Sequence, residues 1–484
     1  MFTRTMMAII GLGWFVFPIQ ADELPTHKSI DPGTIAAYEK ELRAEHGGFA
    51  FDQFGKLTFS PKKEDVVKGL PGFGLTALRD GMFADLPPIQ VPFGLDLRYA
   101  QVTDAGLKEL KNLKNLTTLI LAEAQVTEAG LKELTDVTNL TALDLSSTTT
   151  NNAGLKELKH LKNLTSLDLS RTKVTDAGLK ELKDLKNLTS LDLSHTTVSD
   201  DGVNDLKDLK KLTILSLGFT KVTNAGLKEL KTLSNLNTLD FRAMFLITDR
   251  GLKELKDLKN LTTLNLAFTR VTDAGLERLK DVPSLTTLNL MHTTVTDAGL
   301  KELNALTNLS TLNLCATPIT DAGFKELKDL KNLTSLDIGE TMVTNACLHE
   351  LKDLKNLTTL SLSSTRVTGK GLTELKDLNQ LATLHLEYSK MTDSGLKELK
   401  DFKNLTGLFL SETNVTDAGL KELKGLTNLT TLHLSGTDVS DAGVKEIKHL
   451  KNLTMLELDR TEVTSACAKE LKEALPKCTI FVRR

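Results

Sequence analysis

Aromatic side chains and cysteines are scarce in this chain of 484 residues. Phe, Tyr and Trp together make up 5% of the sequence, and the single tryptophan is Trp14. The four cysteines are too few for a disulfide framework, although Cys467 and Cys478 lie close enough in sequence that a single disulfide between them is an alternative. The shortage of Trp and Tyr also argues against a sugar-binding surface, since such surfaces usually rest on these rings.

An excess of charge of one sign is also missing. Lys and Arg number 60 against 63 Asp and Glu, and the two signs alternate along the sequence. A chain without a basic face is not expected to bind nucleic acid. The sequence has no HExxH motif and no glycine-rich phosphate loop, so it indicates neither a zinc protease nor a nucleotide-binding enzyme.

The longest apolar run lies at the N-terminus. Arg4 precedes apolar residues from Met6 to Phe17, and Pro18 follows them. This pattern is typical of a secretory signal peptide, and the run is shorter than the about 20 residues of a membrane-spanning helix. We expect residues 1–21 to be a signal that is removed on export to the periplasm, the cell surface or the medium, leaving no integral membrane span. An uncleaved anchor is the alternative.

A 24-residue sequence recurs fifteen times between Leu116 and Leu453. Residues 164–187, LTSLDLSRTKVTDAGLKELKDLKN, show it clearly. The pattern predicts a short strand around Leu167 and Leu169, a turn, and then a helix with leucines at 179, 182 and 185. Such an array exposes a long surface instead of enclosing a pocket, which favours binding over catalysis.

One repeat is too small to fold alone, so the repeats must stack and share their apolar side chains. Stacked strands lie about 4.8 Å apart, whereas packed helices need about 8 to 10 Å. A column of strands backed by helices therefore bends into a horseshoe with the strands on the concave side. Seventeen strand signals, from Leu95 to Val482, predict a concave sheet about 80 Å along its arc.

Residues 22–94 have a different composition, with Pro, Gly and Phe in place of the leucine pattern. Asp31 and Pro32 predict the start of a helix, which we expect to stop at Gly47-Gly48. Alternating apolar residues on both sides of 52–56 predict a hairpin. We interpret 22–94 as an N-terminal cap of helix plus hairpin; a small independent binding domain is the other possibility.

The strand segment resembles the leucine-rich repeat pattern LxxLxLxxNxL, as in residues 188–198, LTSLDLSHTTV. The helical half is similar to the ribonuclease-inhibitor-like branch and to exported bacterial repeat proteins that share the ending of residues 474–478, ALPKC. This resemblance covers residues 95–484 and implies an α/β, right-handed leucine-rich repeat solenoid with a parallel concave sheet, convex helices and a C-terminal capping helix and strand. It also implies an interaction scaffold.

Threonine replaces the family's ladder asparagine in twelve of the fifteen repeats, including Thr172, Thr196 and Thr413. A hydroxyl both donates and accepts hydrogen bonds, so we expect a threonine ladder with the same structural role. The recurrent glycines, such as Gly178, are expected where a larger side chain would clash with the neighbouring repeat. Cys347 stands at one of these positions and is expected to be a small buried thiol.

Two other recurrent features have structural and functional readings. Asn163-Leu-Thr and its copies match the glycosylation sequon, but the match arises from the repeat, and we expect an unmodified chain.

An acidic column on the concave face could bind cations or a basic partner, or only keep that face hydrated. Its members are Asp144, Asp168, Asp192 and Asp240, and Ser216 interrupts it.

The concave face carries two candidate partner-binding patches. In the first patch, rings occupy equivalent positions just after the strands of nearby repeats, and a one-residue insertion is expected to present Phe245 or Leu246 between them. This patch comprises His195, Phe219, Phe245, Phe268 and His292. The other spans three consecutive repeats and comprises His385, Tyr388, Phe409 and His433. Clustered exposed rings are candidate binding anchors. Packing of some rings back onto the ladder is the structural alternative.

Catalytic and metal sites are disfavoured by geometry. Ser194 and His195 are neighbours on a predicted strand and would point to opposite faces, which excludes a triad there. His385 and His433 are two strands apart, about 10 Å, with parallel side chains that would not converge on a metal. We therefore expect no enzyme, cofactor or metal, but a monomeric scaffold that binds a protein on its concave face. The alternatives are a structural spacer or surface-layer protein, or an envelope polysaccharide binder.

Removal of residues 1–21 would leave a protein without tryptophan, because Trp14 lies in that segment. The exported protein should then show no tryptophan emission, and its mass should correspond to a start near Asp22. Mass spectrometry and fluorescence of the purified exported protein test this. Retained tryptophan emission at the full-length mass would indicate an uncleaved anchor.

Overall fold

The computed structural model describes residues 28–52, 54–61, 69–79, 81–83 and 85–483. The predicted signal, residues 1–21, lies outside them. The chain divides into two compact units, Met1–Thr148 and Thr149–Arg484. Among the described residues, no helix is long and apolar enough to span a membrane.

The first unit combines a helix, an antiparallel hairpin and the first repeats. Its strands are Glu45–Phe51, Leu57–Ser60, Leu70–Gly74, Ala77–Leu78, Phe93–Asp96, Gln101–Val102, Leu116–Ile120 and Ala142–Asp144. Its α-helices are Pro32–Leu42, Asp104–Leu107 and Glu128–Glu133, and its 3-10 helices are Lys108–Asn112 and Leu134–Asp136.

The first helix starts at the Asp31-Pro32 pair. Asp31 Oδ1 accepts a hydrogen bond from the Thr34 N–H at 2.9 Å, and Pro32 occupies the first turn. The helix ends at Leu42, where Arg43 adopts a left-handed conformation with φ 53°. The expectation that it continues to Gly47-Gly48 was wrong. These glycines lie in the first strand, where a Cβ at Gly47 would come within 2.6 Å of the Phe59 ring.

The hairpin covers apolar side chains of the first repeats. Its strands pair antiparallel, and its Phe49 and Leu57 pack in one cluster with Ile120, Ala122 and Ala142. Later repeats carry mostly polar residues at the positions equivalent to Ile120, Ala122 and Ala142. These three residues are therefore apolar where the hairpin packs on them. Leu70–Gly74 pairs with the first hairpin strand on one side and, in parallel, with Phe93–Asp96 on the other.

The second unit is a regular stack of strand-turn-helix repeats, which we call rungs. Its strands are Ser166–Asp168, Ser190–Asp192, Ile214–Ser216, Thr238–Asp240, Thr263–Asn265, Thr287–Asn289, Thr311–Asn313, Ser335–Asp337, Thr359–Ser361, Thr383–His385, Gly407–Phe409, Thr431–His433, Met455–Glu457 and Thr479–Phe481. Each pairs in parallel and in register with the next. With the three strands of the first unit that begin at 93, 116 and 142, these make the seventeen predicted from the sequence.

Each rung returns through a helical segment. The α-helices of the second unit are Asn152–Glu157, Asp176–Leu179, Asp200–Asp205, Asp249–Leu252, Asp273–Leu279, Asp297–Leu300, Ala346–Leu351, Asp393–Leu396, Asp417–Leu420, Asp441–Lys445 and Ser465–Ala474. The 3-10 helices are Leu158–His160, Lys180–Asp184, Leu206–Asp208, Gly226–Thr232, Lys253–Asp257, Lys301–Ala305, Asp321–Leu327, Gly369–Leu375, Lys397–Asp401 and Lys421–Gly425.

Seven of these fourteen segments begin as an α-helix and continue as a 3-10 helix. The sequence predicted one helix carrying leucines at 179, 182 and 185, but the α-helix ends at Leu179 and a 3-10 helix follows. A spacing of three residues aligns side chains on one face of a 3-10 helix, which has three residues per turn. These leucines are at most 1% exposed, so the spacing serves the core directly.

Two side chains of each regular rung, an aspartate and an asparagine, form hydrogen bonds that join successive rungs. Asp176 Oδ1 accepts from the Ser199 N–H at 2.7 Å, and its Oδ2 accepts from the Ser199 hydroxyl at 2.6 Å. Asn187 Nδ2 donates to the Lys162 carbonyl at 2.9 Å. The same pairs recur along the array, so the asparagine of the apparent sequon has a structural role.

The recurrent glycines make room for these bonds. A Cβ at Gly178 would lie 2.5 Å from Asn152 Oδ1, and a Cβ at Gly226 would meet Asp200 Oδ1 in the same way. This confirms the clash expected from the sequence. Cys347, at such a position, is a buried free thiol in a rung whose helix starts at Ala346. Cys467 and Cys478 are also free and form no bridge.

The threonine column differs from the expected ladder. Thr172, Thr196 and Thr413 each donate to a carbonyl three residues earlier in their own rung, at 2.6 to 2.7 Å. Where a threonine hydroxyl of this column accepts a hydrogen bond, the bond is long. At Thr365, for example, the Val367 nitrogen lies 3.4 Å from the hydroxyl oxygen. The threonines therefore close the turn of each rung more than they link rungs.

Gly323→Ala should destabilise the array, because the new Cβ would lie 2.6 Å from Asp297 Oδ1, which already accepts from the Thr320 N–H at 2.8 Å. We expect a loss of about 1 to 3 kcal/mol, typical of overpacking, seen as a lower urea midpoint by circular dichroism. Gly425→Ala is the control, since its Cβ would meet only the flexible end of Lys403 within 3 Å. Equal midpoints for both variants would contradict the steric account.

Candidate functional site

One side of the sheet in the second unit presents the side chains that alternate with the buried leucines, and we call it the sheet face. In the rung that begins at Leu188, these residues are Ser190, Asp192 and Ser194, and His195 follows. The equivalent positions of every rung form columns across the sheet, because the strands are paired in register.

The acidic column is part of the turn structure. Asp168 Oδ1 accepts from the Ser170 N–H at 2.8 Å, and Asp192 Oδ1 accepts from the Ser194 N–H at 2.7 Å. Asp144 and Asp240 make the same bond, and Asn265, Asn289 and Asn313 replace aspartate with the same geometry. These are Asx turns, and among the described residues no group of His, Cys, Asp or Glu is arranged to hold a metal ion.

The position after each Asx turn has a left-handed backbone. His195, Phe219 and Phe268 have φ 58°, and His292 has φ 55°. The expectation that Ser194 and His195 are adjacent on a strand was wrong, because the strand ends at Asp192. Sequence reasoning missed this left-handed column, in which every side chain projects from an equivalent backbone conformation.

The first patch contains two stacked pairs of rings in this column. His195 and Phe219 lie 4.0 Å apart between centroids with an interplanar angle of 13°, and Phe268 and His292 lie 4.4 Å apart at 23°. Burial lowers the pKa of His195, and the charges of Arg171 and Arg242 lower it further. Both effects favour the neutral imidazole, whose Nε2 lies 3.1 Å from the Arg171 guanidinium.

The one-residue insertion presents two apolar side chains. Phe245 is 54% exposed and Leu246 is 53% exposed, so both alternatives considered from the sequence are realised. Met244 is buried at the position that threonine takes in neighbouring rungs, and the Ile247 N–H donates to its carbonyl at 2.9 Å. The extra residue therefore lengthens the turn without disturbing the strand register on either side.

The second patch is centred on Phe409. The strand pairing places it beside His385 and His433, with ring centroids 4.1 Å and 4.5 Å away. His385 stacks face to face at 11°, whereas His433 approaches edge-on at 67°. Tyr388 is not part of this stack; it belongs to the left-handed column and is 48% exposed.

Glutamates surround the second patch, and sequence reasoning missed them. Glu387 Oε1 lies 3.3 Å from His385 Nδ1, and Glu457 Oε2 lies 3.0 Å from His433 Nδ1. Burial favours a higher pKa for Glu387, but its bonds with His385 and Ser363 outweigh burial and leave the pKa below its usual value. Glu387 shares a face with His385 two residues earlier, which the strand alternation could have indicated.

A further ion pair spans two rungs. Arg460 Nη2 lies 2.6 Å from Glu412 Oε1, and Gly436 stands in the left-handed column between them. A Cβ at Gly436 would lie 2.5 Å from the same Glu412 oxygen. Glycine at this position therefore leaves room for the pair.

The fold and the sequence comparisons agree. The Leucine Rich repeat family model matches residues 160–183, 184–206, 257–280, 283–303, 353–376 and 425–448. Comparison with curated protein sequences gave no match. The structure is an α/β leucine-rich repeat solenoid, with a parallel sheet on one side of the rungs and helices on the other.

Two solved structures of similar fold are bacterial proteins. An internalin from Listeria monocytogenes is 24% identical, with a TM-score of 0.51 over 68% of this chain and 88% of that one. A leucine-rich repeat protein from Leptospira interrogans is 28% identical, with a TM-score of 0.43 over 84% of this chain and 93% of that one. The first likeness supports the fold.

Asp192→Asn should keep the stability of the parent, because the amide oxygen still accepts from the Ser194 N–H, as Asn265 does for Ala267 in its own rung. Asp192→Ala leaves that N–H without its acceptor and should cost about 1 kcal/mol. Urea unfolding followed by circular dichroism measures both. A loss in the asparagine variant equal to that in the alanine variant would show that the charge, and not the turn, matters.

Proposed function

We propose that this leucine-rich repeat protein is a non-enzymatic scaffold that binds a protein partner through its sheet face, the concave face predicted from the sequence. The observation that carries the proposal is the clustering of exposed rings on that one face. Phe219 and Tyr388 are 45% and 48% exposed, and Phe245 is 54% exposed. The repeat itself places no rings at these positions, since most other rungs carry small or polar residues there.

Exposed aromatic side chains held in one conformation are typical anchors of protein interfaces, where a few residues supply most of the affinity. The stacking of His195 on Phe219 and of His385 on Phe409 restricts these rings before any partner arrives. Little side-chain entropy is then lost on binding, which favours affinity. The nine residues of the two patches are the proposed contact residues.

The first unit supplies an internal parallel. There the chain's own hairpin lays Phe49 and Leu57 on Ile120, Ala122 and Ala142. Ile120 and Ala122 occupy positions equivalent to Asp192 and Ser194 of the sheet face. A strand-forming segment with apolar side chains can thus pack on this side of a rung, which supports a peptide or protein as the occupant of the open rungs.

Export is part of the proposal, on the pattern of Arg4, the apolar run and Pro18, and so is a monomeric state. A spacer or surface-layer role would need no particular side chains on the sheet face. The uneven distribution of rings between rungs supports binding over that role. The low content of Trp and Tyr disfavours a polysaccharide partner.

The experiment compares partners captured from envelope and culture-supernatant extracts by the parent and by a variant with Phe219, Phe245 and Tyr388 changed to alanine. We expect the variant to lose the parent's partner by about tenfold or more in affinity. These side chains are about half exposed, so the fold should be retained, and circular dichroism checks this.

The matched control changes exposed lysines of the helical side, Lys180, Lys228 and Lys301, to alanine and should retain the partner. Equal loss in the control would move the binding site away from the sheet face. Empty profiles for all three proteins would favour the spacer role, and capture of polysaccharide alone would replace the protein partner.

A further inference from the structure

Charge is distributed unevenly along the sheet face of the second unit. The four rungs with strands from Thr383–His385 to Met455–Glu457, which we call the acidic rungs, carry four carboxylates and one arginine at the alternating face positions and in the left-handed column. These residues are Glu387, Glu412, Glu457, Asp459 and Arg460. At the same positions, the seven rungs with strands from Ser166–Asp168 to Thr311–Asn313 carry three aspartates and two arginines. Negative charge is therefore concentrated in the later rungs.

The other ionisable groups of the acidic rungs do not cancel this charge. Burial lowers the pKa of His433, which favours its neutral form. With His385 charged, the four carboxylates still face only two cations. The next exposed position of these rungs adds Asp438 and Glu462 against Lys390. A partner that approaches this surface meets an excess of negative charge.

Two of the carboxylates are open to solvent. Glu412 Oε1 lies 2.6 Å from Arg460 Nη2, and Glu457 Oε2 lies 3.0 Å from His433 Nδ1. The second oxygen of each forms no hydrogen bond or ion pair within the described chain and is not buried. The side chains of Glu412 and Glu457 are 26% and 32% exposed. Both can therefore pair with a cation of a partner while they keep their internal contact.

The acidic rungs also have more hydrogen-bond acceptors than donors. In the neutral imidazole of His433, Nδ1 donates to Glu457 and Nε2 is left as an acceptor. This Nε2 is buried, and no donor among the described residues reaches it. The Ser435 hydroxyl, which is 4% exposed on the same face, has no partner there either. A ligand rich in N–H donors matches this environment.

Tyr388 adds an exposed ring to the first of the acidic rungs. It is 48% exposed, and Glu412 follows it in the left-handed column, because the strands of the two rungs are paired. Neighbouring positions of a column are about 4.8 Å apart at the backbone. A lysine or arginine side chain on the tyrosine ring would therefore also lie near the Glu412 carboxylate, and both attract a cation.

The chain itself holds one cation on this surface. Arg460 reaches back two rungs to Glu412, and Gly436 lies between them in the column. The Arg460 side chain is 62% exposed, so its guanidinium pairs with the carboxylate at the surface and is not enclosed. A cationic side chain of a partner can pair with the remaining carboxylates in the same way.

We propose that the acidic rungs bind a basic segment of the protein partner, with one lysine or arginine on Tyr388 and Glu412 and another on Glu457. This inference rests on the proposed function, because it names the partner's chemistry at the second patch. Tyr388 and Glu457 lie three rungs apart, about 14 Å at the backbone, so an extended segment of about five residues connects them. A bound metal ion is disfavoured, since the described part of the chain has no group of His, Cys, Asp and Glu that could hold one.

The test measures fluorescence anisotropy of a short dye-labelled peptide in which arginine alternates with serine, titrated with the full chain. We expect saturable binding that weakens as salt is added, because the attraction is between charges at the surface. The same peptide with glutamate in place of arginine should not bind, because it is repelled.

A double variant, Glu412→Gln with Glu457→Gln, removes two charges and keeps the side-chain shape. We expect its affinity for the arginine peptide to fall about tenfold or more. The matched control, Asp401→Asn with Glu446→Gln, removes two exposed carboxylates from the helical side of the acidic rungs and should bind like the parent. Circular dichroism checks that both variants are folded.

Arg460→Gln tests the same surface by a gain of binding. It releases Glu412 from its ion pair, so the arginine peptide should bind about threefold more tightly. A variant that was only destabilised would not show this gain.

Equal peptide affinity of the double glutamine variant and its control would overturn the proposal, and so would equal binding of the glutamate peptide or weaker binding by Arg460→Gln. If the double glutamine variant retains a captured protein that the triple alanine variant loses, the basic segment is wrong and the scaffold function stands. If the peptide binds as expected but no protein is captured from any extract, the scaffold function fails alone.

Discussion

The bond between the first helical residue of one rung and the start of the next helix determines much of this structure. The Asp176 carboxylate holds both the backbone N–H and the hydroxyl of Ser199, and most later rungs repeat the pair. This bond requires a donor residue, such as Ser199, at the start of the next helix. It also requires a glycine next to the carboxylate, because a larger side chain would clash with it. Together with the shared leucine core, it keeps the rungs close to one length, apart from the one-residue insertion at Phe245, and leaves little freedom for substitution on the helical side.

The sheet face is less constrained, since its links between rungs are made by the backbone. Its main structural side chain is the aspartate or asparagine of the Asx turn, as at Asp192. In the later rungs this position carries His385, Phe409 and His433. A phenyl ring accepts no hydrogen bond from the turn, so Phe409 gives up the bond that Asp192 makes. A side chain kept at the expense of a turn bond favours a role beyond folding.

The strict period made most of the fold predictable, because a 24-residue repeat with a leucine core admits few arrangements. The strand register, the buried leucines and the glycine clash all follow from it. The end of the first helix did not, since Gly47 resembles a helix stop but serves strand packing. The left-handed column was also missed, because the residues in it, such as His195 and Phe219, carry no common sequence signal for positive φ. The equivalent positions of the patch residues were visible in the sequence, and strand alternation could have placed Glu387 beside His385. The ring stacking could not be predicted, because it depends on side-chain conformations that the repeat pattern does not determine.

The left-handed column itself argues for binding. A residue with a Cβ in this conformation costs about 1 to 2 kcal/mol, and glycine avoids the cost. If the position served the turn alone, glycine would be the residue of choice. Thirteen rungs of the second unit have this position between Arg171 and Arg460, yet glycine occupies it only at Gly436, where the Glu412 carboxylate needs the space. Twelve rungs thus carry backbone strain to present a side chain, and at Phe219, Phe268 and Tyr388 that side chain is a partly exposed ring.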